Sequence, residues 1–556
     1  METVKTDVLI IGGGLASLCA AIECCKYGVD VTIADKGRIG SSGSSPTSGA
    51  SPQVLLPPEL GGHPDDSSEI YFSDIVRGSD YLSDQHKAAI LVDEAPQRTI
   101  EEDRMGVPFL KKPDGKFETY ITFGMSYPRV GPVRLDGGGM MQALRKEALH
   151  RGARPVEDVM ITRLICGDGR VQGAAGIHVF SGVPYLFKAK CVIVAAGSAL
   201  AIYPYSSASY LTTGDGYALC WDLGLKFANM EFIEYTLIPA PNGIPFPTGG
   251  IKPTTGRGAI FFNRLGERFM AKYDPEKMEL TSRGTIVRAI YTELKSGNGP
   301  CCLDATSLKA PTMPLRKLQE ACGIDWRQEK IPWVPAVHTF LGGVMIDEKG
   351  FTGIPGLYSA GETAGHGGAF GADRVAGAIA ACQVFGHRAG KYAALEALET
   401  GDPEIAESVV EQEEKRWRSL PEAKGARPRE LRQKIQQVCW DSAGIIRNAR
   451  DLAAGLEMIS GIEHSPVKAD SVPELVEALE VKNLAHTARM VIRAALERTE
   501  SRGEHIREDY PERNDGQWLK WLTLQKDNND MRVSVHELPF DSYPLKPAMT
   551  IEKGRV

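Results

Sequence analysis

The stretch Asp7-Val8-Leu9-Ile10-Ile11-Gly12-Gly13-Gly14-Leu15-Ala16-Ser17 decides the fold. Residues 7–11 form an apolar run of the kind a buried strand requires. Three glycines follow at once. A helix-forming stretch then runs from Leu18 to Tyr27 and stops at Gly28. A second apolar run, Val29 to Ala34, closes on Asp35. Strand, glycine turn, helix, strand and acid in this order describe a dinucleotide-binding unit. Gly12 permits the tight turn, and Gly14 lets a pyrophosphate approach the backbone at the positive end of the helix. Ser17 stands where a third glycine is usual and is small enough for helix and strand to pack. Asp35 is placed to hydrogen-bond a ribose hydroxyl. The turn alone does not separate NAD from FAD.

Length and charge narrow what surrounds this unit. The 556 residues suffice for about three domains. A net charge of −7 leaves no electrostatic footprint for nucleic acid. The 11 cysteines include no CxxC pair; Cys24-Cys25 and Cys301-Cys302 are adjacent, the wrong spacing for zinc or an iron–sulfur cluster. No metal is expected. No apolar run approaches the ~18 residues of a membrane span. With no room for a signal peptide before Asp7, the expectation is a cytoplasmic protein with reduced thiols, reaching the inner face of a membrane only through partners.

Five further segments point the same way. They are Lys190 to Ser198 (KCVIVAAGS), Thr213-Gly214-Asp215-Gly216, Pro355 to Glu362 (PGLYSAGE), Gly371-Ala372-Asp373-Arg374, and Glu500 to Arg513 (ESRGEHIREDYPER). With them the chain resembles the flavoprotein subunit of succinate dehydrogenase and fumarate reductase, a family that includes L-aspartate oxidase. The likeness runs from residue 7 to about 535. It implies FAD as cofactor and an α/β fold: a discontinuous Rossmann-like FAD-binding domain, 1–233 and 344–400, with an inserted α+β capping domain, 234–343. A C-terminal helical domain, 401–535, and an extended tail, 536–556, would follow. Ser471 and Glu474 independently suggest a capping box, with Pro473 early in that helix. Leu484, Ala488, Val491 and Ala495 recur behind it at helical spacing.

The resemblance also assigns residues. FAD would be held by Gly12, Gly14, Ser17, Asp35, Lys36, Ser44, Ser45, Ser48, Gly49, Ala196, Gly197, Asp215, Glu362, Arg374, Ala378 and Ile379. Arg283, in a segment similar to the family's LxxRDxxxRAI, would donate or accept the substrate proton. His338, in a segment similar to HxxxGG, and Arg374 would grip a substrate carboxylate, for which a planar guanidinium is suited. Arg257 is retained from a motif similar to TEGxRGEGG.

Departures from the family are as telling. Thr236 stands where a histidine holds the far carboxylate, Thr254 where a glutamate sits in an Arg–Glu–Arg proton relay, and Pro253 where a threonine holds substrate. A hydroxyl cannot pair a carboxylate as histidine can, nor shuttle a proton as a carboxylate does. Thr236 and Thr254 therefore predict a different far end, and a substrate other than succinate or fumarate. The Pro239 to Pro247 loop is a candidate for reshaping it. Ser44-Ser45-Pro46 replaces the segment that carries a flavin-linking histidine, so FAD is expected to be noncovalent. The expected activity is hydride exchange between flavin and a C–C bond of a small carboxylate-bearing molecule, with electrons exchanged with a separate iron–sulfur protein. An L-aspartate-oxidase-like flavin oxidase and an electron-transfer flavoprotein with a degenerate site are the alternatives.

Overall fold

The computed structural model describes residues 1–49, 51–121, 124–129, 131–247, 254–375, 377–528 and 530–547. The strand Glu2–Ile11 is central to a seven-stranded sheet. It pairs in parallel with Val31–Ala34 on one side and Pro184–Val194 on the other. Arg154–Val156 extends the sheet beyond Val31–Ala34. Pro184–Val194 divides its free edge: its first half pairs antiparallel with Arg170–His178 and its last residues pair in parallel with Leu357–Ser359. Val8 to Ile11 are buried, as a strand covered on both faces requires.

The first strand begins five residues earlier than its apolar run predicts. The helix, Leu15–Cys25, begins three residues earlier because Gly14 serves as its N-cap. Gly12 has φ +108°, and a Cβ there would lie 2.4 Å from the Ala195 carbonyl oxygen. Helix Ala378–Glu399 crosses Leu15–Cys25 closely. A Cβ at Gly386 would meet the Ala16 carbonyl at 2.5 Å, and one at Gly390 the Ala20 carbonyl at 2.4 Å. Glycine at both positions brings a helix from late in the chain onto the first one, and its N-terminus onto the glycine turn.

A second, antiparallel sheet has the order Ile233–Pro239, Ile331–Phe340, Cys301–Asp304, Ile260–Phe262. Helix Arg283–Lys295 packs on it. The register between its first two strands shifts from Val337 opposite Tyr235 to Thr339 opposite Glu234, leaving His338 unpaired in a bulge. Bulges re-aim a side chain locally.

Helices Pro428–Ser442, Ala449–Glu463 and Val472–Glu497 form a C-terminal layer. Ser471 caps the last, accepting from Glu474 N at 3.4 Å. Glu474 reaches back to Asp470 N at 2.7 Å rather than to Ser471 N. Leu484, Ala488, Val491 and Ala495 are buried. The region to 535 is not helical throughout: Lys520–Asp527 and Asp530–Glu537 form a hairpin that pairs with Phe227–Ala228. The boundary at 535 therefore falls inside a strand. The described part of the tail, 536–547, is anchored at three residues. Leu538 and Tyr543 are buried in a cluster with Leu82, Phe232, Leu341 and Ala372, and the Gln85 amide bonds both backbone groups of Leu545, at 2.7 and 3.0 Å. Among the described residues, no helix is long and apolar enough to cross a membrane.

Candidate functional site

A cavity of about 1170 Å³ runs from the glycine turn to the antiparallel sheet. At its first end the wall is largely backbone. Residues 12–14 border it, and helix Leu15–Cys25 opens there with no side-chain cap at Gly14. The second helix, Ala378–Glu399, also begins at the cavity, with Gly377 as N-cap at φ +94°. Two helix N-termini on one chamber present unpaired N–H groups and positive dipole ends, the arrangement that binds a pyrophosphate. Asp35 lines this end. Its Oδ1 accepts from Gly37 N at 2.7 Å and Ser42 Oγ at 2.9 Å.

FAD fits this chamber. The Ser44 hydroxyl and the Gln53 amide oxygen are buried, belong to lining residues, and make no hydrogen bond among the described residues. Buried polar atoms of that kind need a polar partner. Ser45 Oγ accepts from Leu15 N at 3.1 Å, across the gap between loop and helix. Ser48, Gly49, Ala196, Gly197, Ala378 and Ile379 also line the cavity, and Val159, Met160 and Ile161 give it an apolar wall. Gly197 has φ +76° and open space beside it, the nearest atom to a Cβ being 3.9 Å away. Ser17 corrects the expectation. It is buried away from the cavity and donates to the Ala195 carbonyl at 3.2 Å, so its smallness serves packing.

Lys36 borders the cavity too, but its ammonium is committed. It lies 2.7 Å from both Asp215 and Glu480 and bonds Thr213 Oγ1. Asp215 lines the cavity at the start of helix Asp215–Asp222. Glu362 lines the chamber as well. Its Oε1 accepts from Thr339 Oγ1 at 2.7 Å, Phe340 N at 2.8 Å and Ser198 Oγ at 2.9 Å, while burial pushes its carboxyl up. Burial also pushes the lining Cys382 thiol up to about 12, leaving no thiolate there.

The other end is built from charged side chains. Thr236, Arg257, Arg283, His338 and Arg374 all line it, brought together from four separate segments and a bulge. Thr254 does not. It is fully buried, its hydroxyl 2.7 Å from that of Thr312, while its neighbours Thr255, Gly256 and Arg257 face the cavity. Pro253 lies outside the described residues. The described part of the Pro239 to Pro247 loop does not border the cavity.

Arg283 and Arg374 converge on a residue the motifs do not single out. Glu234, wholly buried, accepts from Arg374 Nε at 2.9 Å and Nη2 at 2.7 Å, and lies 3.0 Å from Arg283 Nη2 and 3.8 Å from His338 Nε2. Burial alone would push its carboxyl up, but Arg283 and Arg374 hold it ionised and down to about 2. His338 Nδ1 is 2.7 Å from Ser207 Oγ. Burial, reinforced by the two arginines and opposed by Glu234, lowers this imidazole to about 4. It is a neutral hydrogen-bonding group at neutral pH, not a cation.

Two more carboxyls, Asp373 and Glu504, each lie 3.8 Å from Arg283 Nη2. Burial raises Asp373 to about 6, against the pull of Arg283. Burial and the neighbouring Asp373 raise Glu504 as well. His366, at φ +56°, is 3.0 Å from Thr339 Oγ1 and lowered by burial to about 3. Of these four, Glu234 carried a usable signal: a charge inside the fully buried strand Ile233–Pro239 demands a partner. Asp373 and Glu504 stand inside recognisable motifs, but only the fold brings them beside Arg283.

Comparison with known proteins agrees with this construction. The FAD binding domain family matches residues 7–379, and the Fumarate reductase flavoprotein C-term family matches residues 432–550. The chain is 36% identical to a subunit of the Fumarate reductase (CoM/CoB) of Methanothermobacter marburgensis, covering 94% of this chain and 98% of that one. It is similar in structure to Mycobacterium smegmatis Sdh1 in complex with UQ1, with a TM-score of 0.86 and 28% identity over 97% of this chain and 95% of the other. The fold also matches that of E. coli quinol fumarate reductase, with a TM-score of 0.87 at 24% identity over 100% of both chains.

Proposed function

The chain belongs to the succinate dehydrogenase and fumarate reductase flavoprotein family, a FAD-dependent oxidoreductase family acting on CH–CH bonds, and from that premise we propose that it exchanges a hydride with a C–C bond of a small carbonyl- or carboxylate-activated molecule other than succinate or fumarate. The observation that carries this reading is the shared chamber: the backbone cradle at residues 12–14 and the Arg283–His338–Arg374 cluster line one cavity. FAD, held noncovalently in the absence of any histidine at 44–48, supplies hydride transfer at flavin N5. The cluster orients the substrate and handles the proton that goes to or comes from the carbon next to the one exchanging hydride. Arg283, desolvated and fixed by Glu234, faces that task. Its own acidity is too weak for it to act alone near neutral pH. Asp373 and Glu504 are placed to return the proton it gives up. Neutral His338 donates or accepts a hydrogen bond and fixes the substrate.

The electrons enter or leave through a separate iron–sulfur protein. The absence of any CxxC pair in this sequence, and the naming of the relatives as subunits, support that part of the reading. The test is to reduce the purified flavoprotein anaerobically and offer unsaturated acids, esters and acyl thioesters. The reading requires flavin reoxidation by at least one of them. Rapid reoxidation by air, with none of them reacting, would replace it with an oxidase.

A further inference from the structure

Resting on that proposed function, we infer that Arg257 binds substrate: it grips an anionic oxygen group at the far end of an extended molecule, beyond an apolar middle. Among the described residues, five cationic side chains line the cavity: Lys36, Arg257, Arg283, Arg316 and Arg374. Four of them are answered. Lys36 lies 2.7 Å from both Asp215 and Glu480, Arg283 and Arg374 share Glu234, and Arg316 lies 3.9 Å from Asp136 and from Glu320. Arg257 makes no ion pair and no side-chain hydrogen bond among the described residues. The carboxylates nearest in kind are spoken for or solvated. Asp136 also lies 3.4 Å from Lys317, Glu279 is held by Arg268 at 2.6 Å, and Glu118 is exposed. The FAD pyrophosphate does not answer Arg257 either, because the cradle at residues 12–14 stands at the other end of the cavity.

The backbone fixes this guanidinium in advance. Its turn is closed by Arg257 N on the Thr254 carbonyl at 3.3 Å, Gly258 N on the Thr255 carbonyl at 3.0 Å and Ala259 N on the Thr254 carbonyl at 3.4 Å. Gly258 takes φ +106°, and its carbonyl accepts from Ser307 Oγ at 3.3 Å. The Thr254–Thr312 hydroxyl bond then fastens the turn to residues 311–314, which line the cavity beside it. An ordered turn has less freedom to lose when a guest binds. No carboxyl links Arg257 to Arg283. Thr254 spends its hydroxyl on Thr312, while Asp373 and Glu504 stand at Arg283 itself. Proton transfer between the two arginines therefore has no carrier, and anion recognition is the chemistry left to Arg257. Its position sets where that anion falls. Arg257 is exposed, whereas Arg283 and Arg374 keep only 11% and 10% of their side chains open, so the grip lies at the rim. Ile121 and Leu280 line the same cavity as exposed apolar side chains, surface that an apolar spacer would cover. A planar guanidinium takes two oxygens of a carboxylate, sulfonate or phosphate in parallel hydrogen bonds.

The test titrates the FAD-loaded protein and reads the flavin absorbance. The probes are 2-pentenoate against glutaconate, and 2-hexenoate against 2-hexenedioate and against 2-hexenoate carrying a terminal sulfonate or phosphonate. On the wild type at least one tailed anion should bind about tenfold tighter than its untailed parent. The tail that gains most identifies the anion, and this arm needs no variant. Arg257→Gln should raise Kd and KM about tenfold more for that tailed probe than for its parent. Arg257→Lys, which keeps the charge and loses the fork, should retain part of the gain. Tailed anions binding the wild type no tighter than their parents would overturn the inference while leaving the proposed function standing. So would Arg257→Gln lowering kcat for tailed and untailed probes alike with the gain intact, because Arg257 would then serve the proton. No response to any of these acids, nor to the esters and thioesters of the reoxidation screen, would overturn both.

Discussion

The two ends of the cavity are held by different means. At residues 12–14 the wall is backbone: a turn at φ +108°, two helix N-termini, and hydroxyls from a short loop. At Arg283, His338 and Arg374 the wall is side chain, and both guanidinium charges are answered by the buried Glu234. Backbone recognition suits a cofactor that is always the same. Side-chain recognition can change one residue at a time, and here Thr236, Glu234, Asp373 and Glu504 differ from one another in what they contribute while the cradle stays simple. The contrast predicts that damage at the reacting end should leave flavin binding intact, whereas damage at the cradle should remove flavin and activity together.

The largest effect should come from Gly12→Ala. The added Cβ would lie 2.4 Å from the Ala195 carbonyl, at a backbone angle that L residues avoid. The variant should purify without flavin, read as the ratio of flavin to protein absorbance, and should have no activity. Full flavin content would mean that the turn is not the cradle. Next is Arg283→Ala, which should keep its flavin and lose turnover by roughly 10²–10⁴-fold, the range for loss of a proton-transferring group. Steady-state rates with any substrate found by the reoxidation screen would check it. Loss of flavin together with turnover would erase the distinction between the two ends.

The two ends also differ in how far the sequence discloses them. The cradle is written in contiguous residues, because a turn, a helix cap and a strand end are local events. Residues 7–35 therefore announce it, although Ser17 turns out to pack rather than to bind. The reacting end is assembled from residues 234, 283, 338, 373, 374 and 504. Nothing local pairs Glu504 with Arg283, and no periodicity in Ile331–Phe340 announces that a bulge will turn His338 toward the cavity. Thr254 shows the converse: its position in a motif places it in the site, while the fold gives its hydroxyl to Thr312. The anchoring of the tail is hidden for a similar reason, since the apolar cluster that buries Leu538 and Tyr543 is formed by residues 82, 232, 341 and 372.

A smaller effect is expected from Glu504→Gln. If the Asp373–Glu504 pair returns the proton to Arg283, removing one carboxyl should slow kcat by about tenfold with little change in KM, and should shift the pH at which the rate falls. An unchanged pH profile would assign Glu504 to packing alone. The same variant should leave flavin content untouched, since neither carboxyl lies at the cradle.

The smallest effect separates the two ends by stability rather than activity. His366 and His338 are both held neutral, lowered to about 3 and about 4. A histidine of ordinary pKa near 6.5 takes up a proton when the chain unfolds. The stability these residues contribute is therefore complete above about pH 6.5 and is lost as pH falls from there toward their folded values, by at most about 1.4 kcal/mol per pH unit for each. His366 is enclosed, whereas His338 keeps 30% of its side chain open, so the larger share falls to His366. Glu234 adds to the loss only below about pH 4.5, where the unfolded carboxylate begins to protonate. Lys36, at the cradle, is raised, so its contribution persists through this range and is lost only at strongly alkaline pH. Buried carboxyls such as Asp373, raised to about 6, and Glu102, raised to about 8, pull the other way as pH falls. The expected signal is therefore a difference: the denaturation midpoint of His366→Asn should rise relative to the wild type between about pH 6.5 and about pH 5. A difference between variant and wild type that does not change with pH would mean that His366 finds a counter-charge when it protonates, and that the reacting end is less tightly balanced than Glu234 and its arginines suggest.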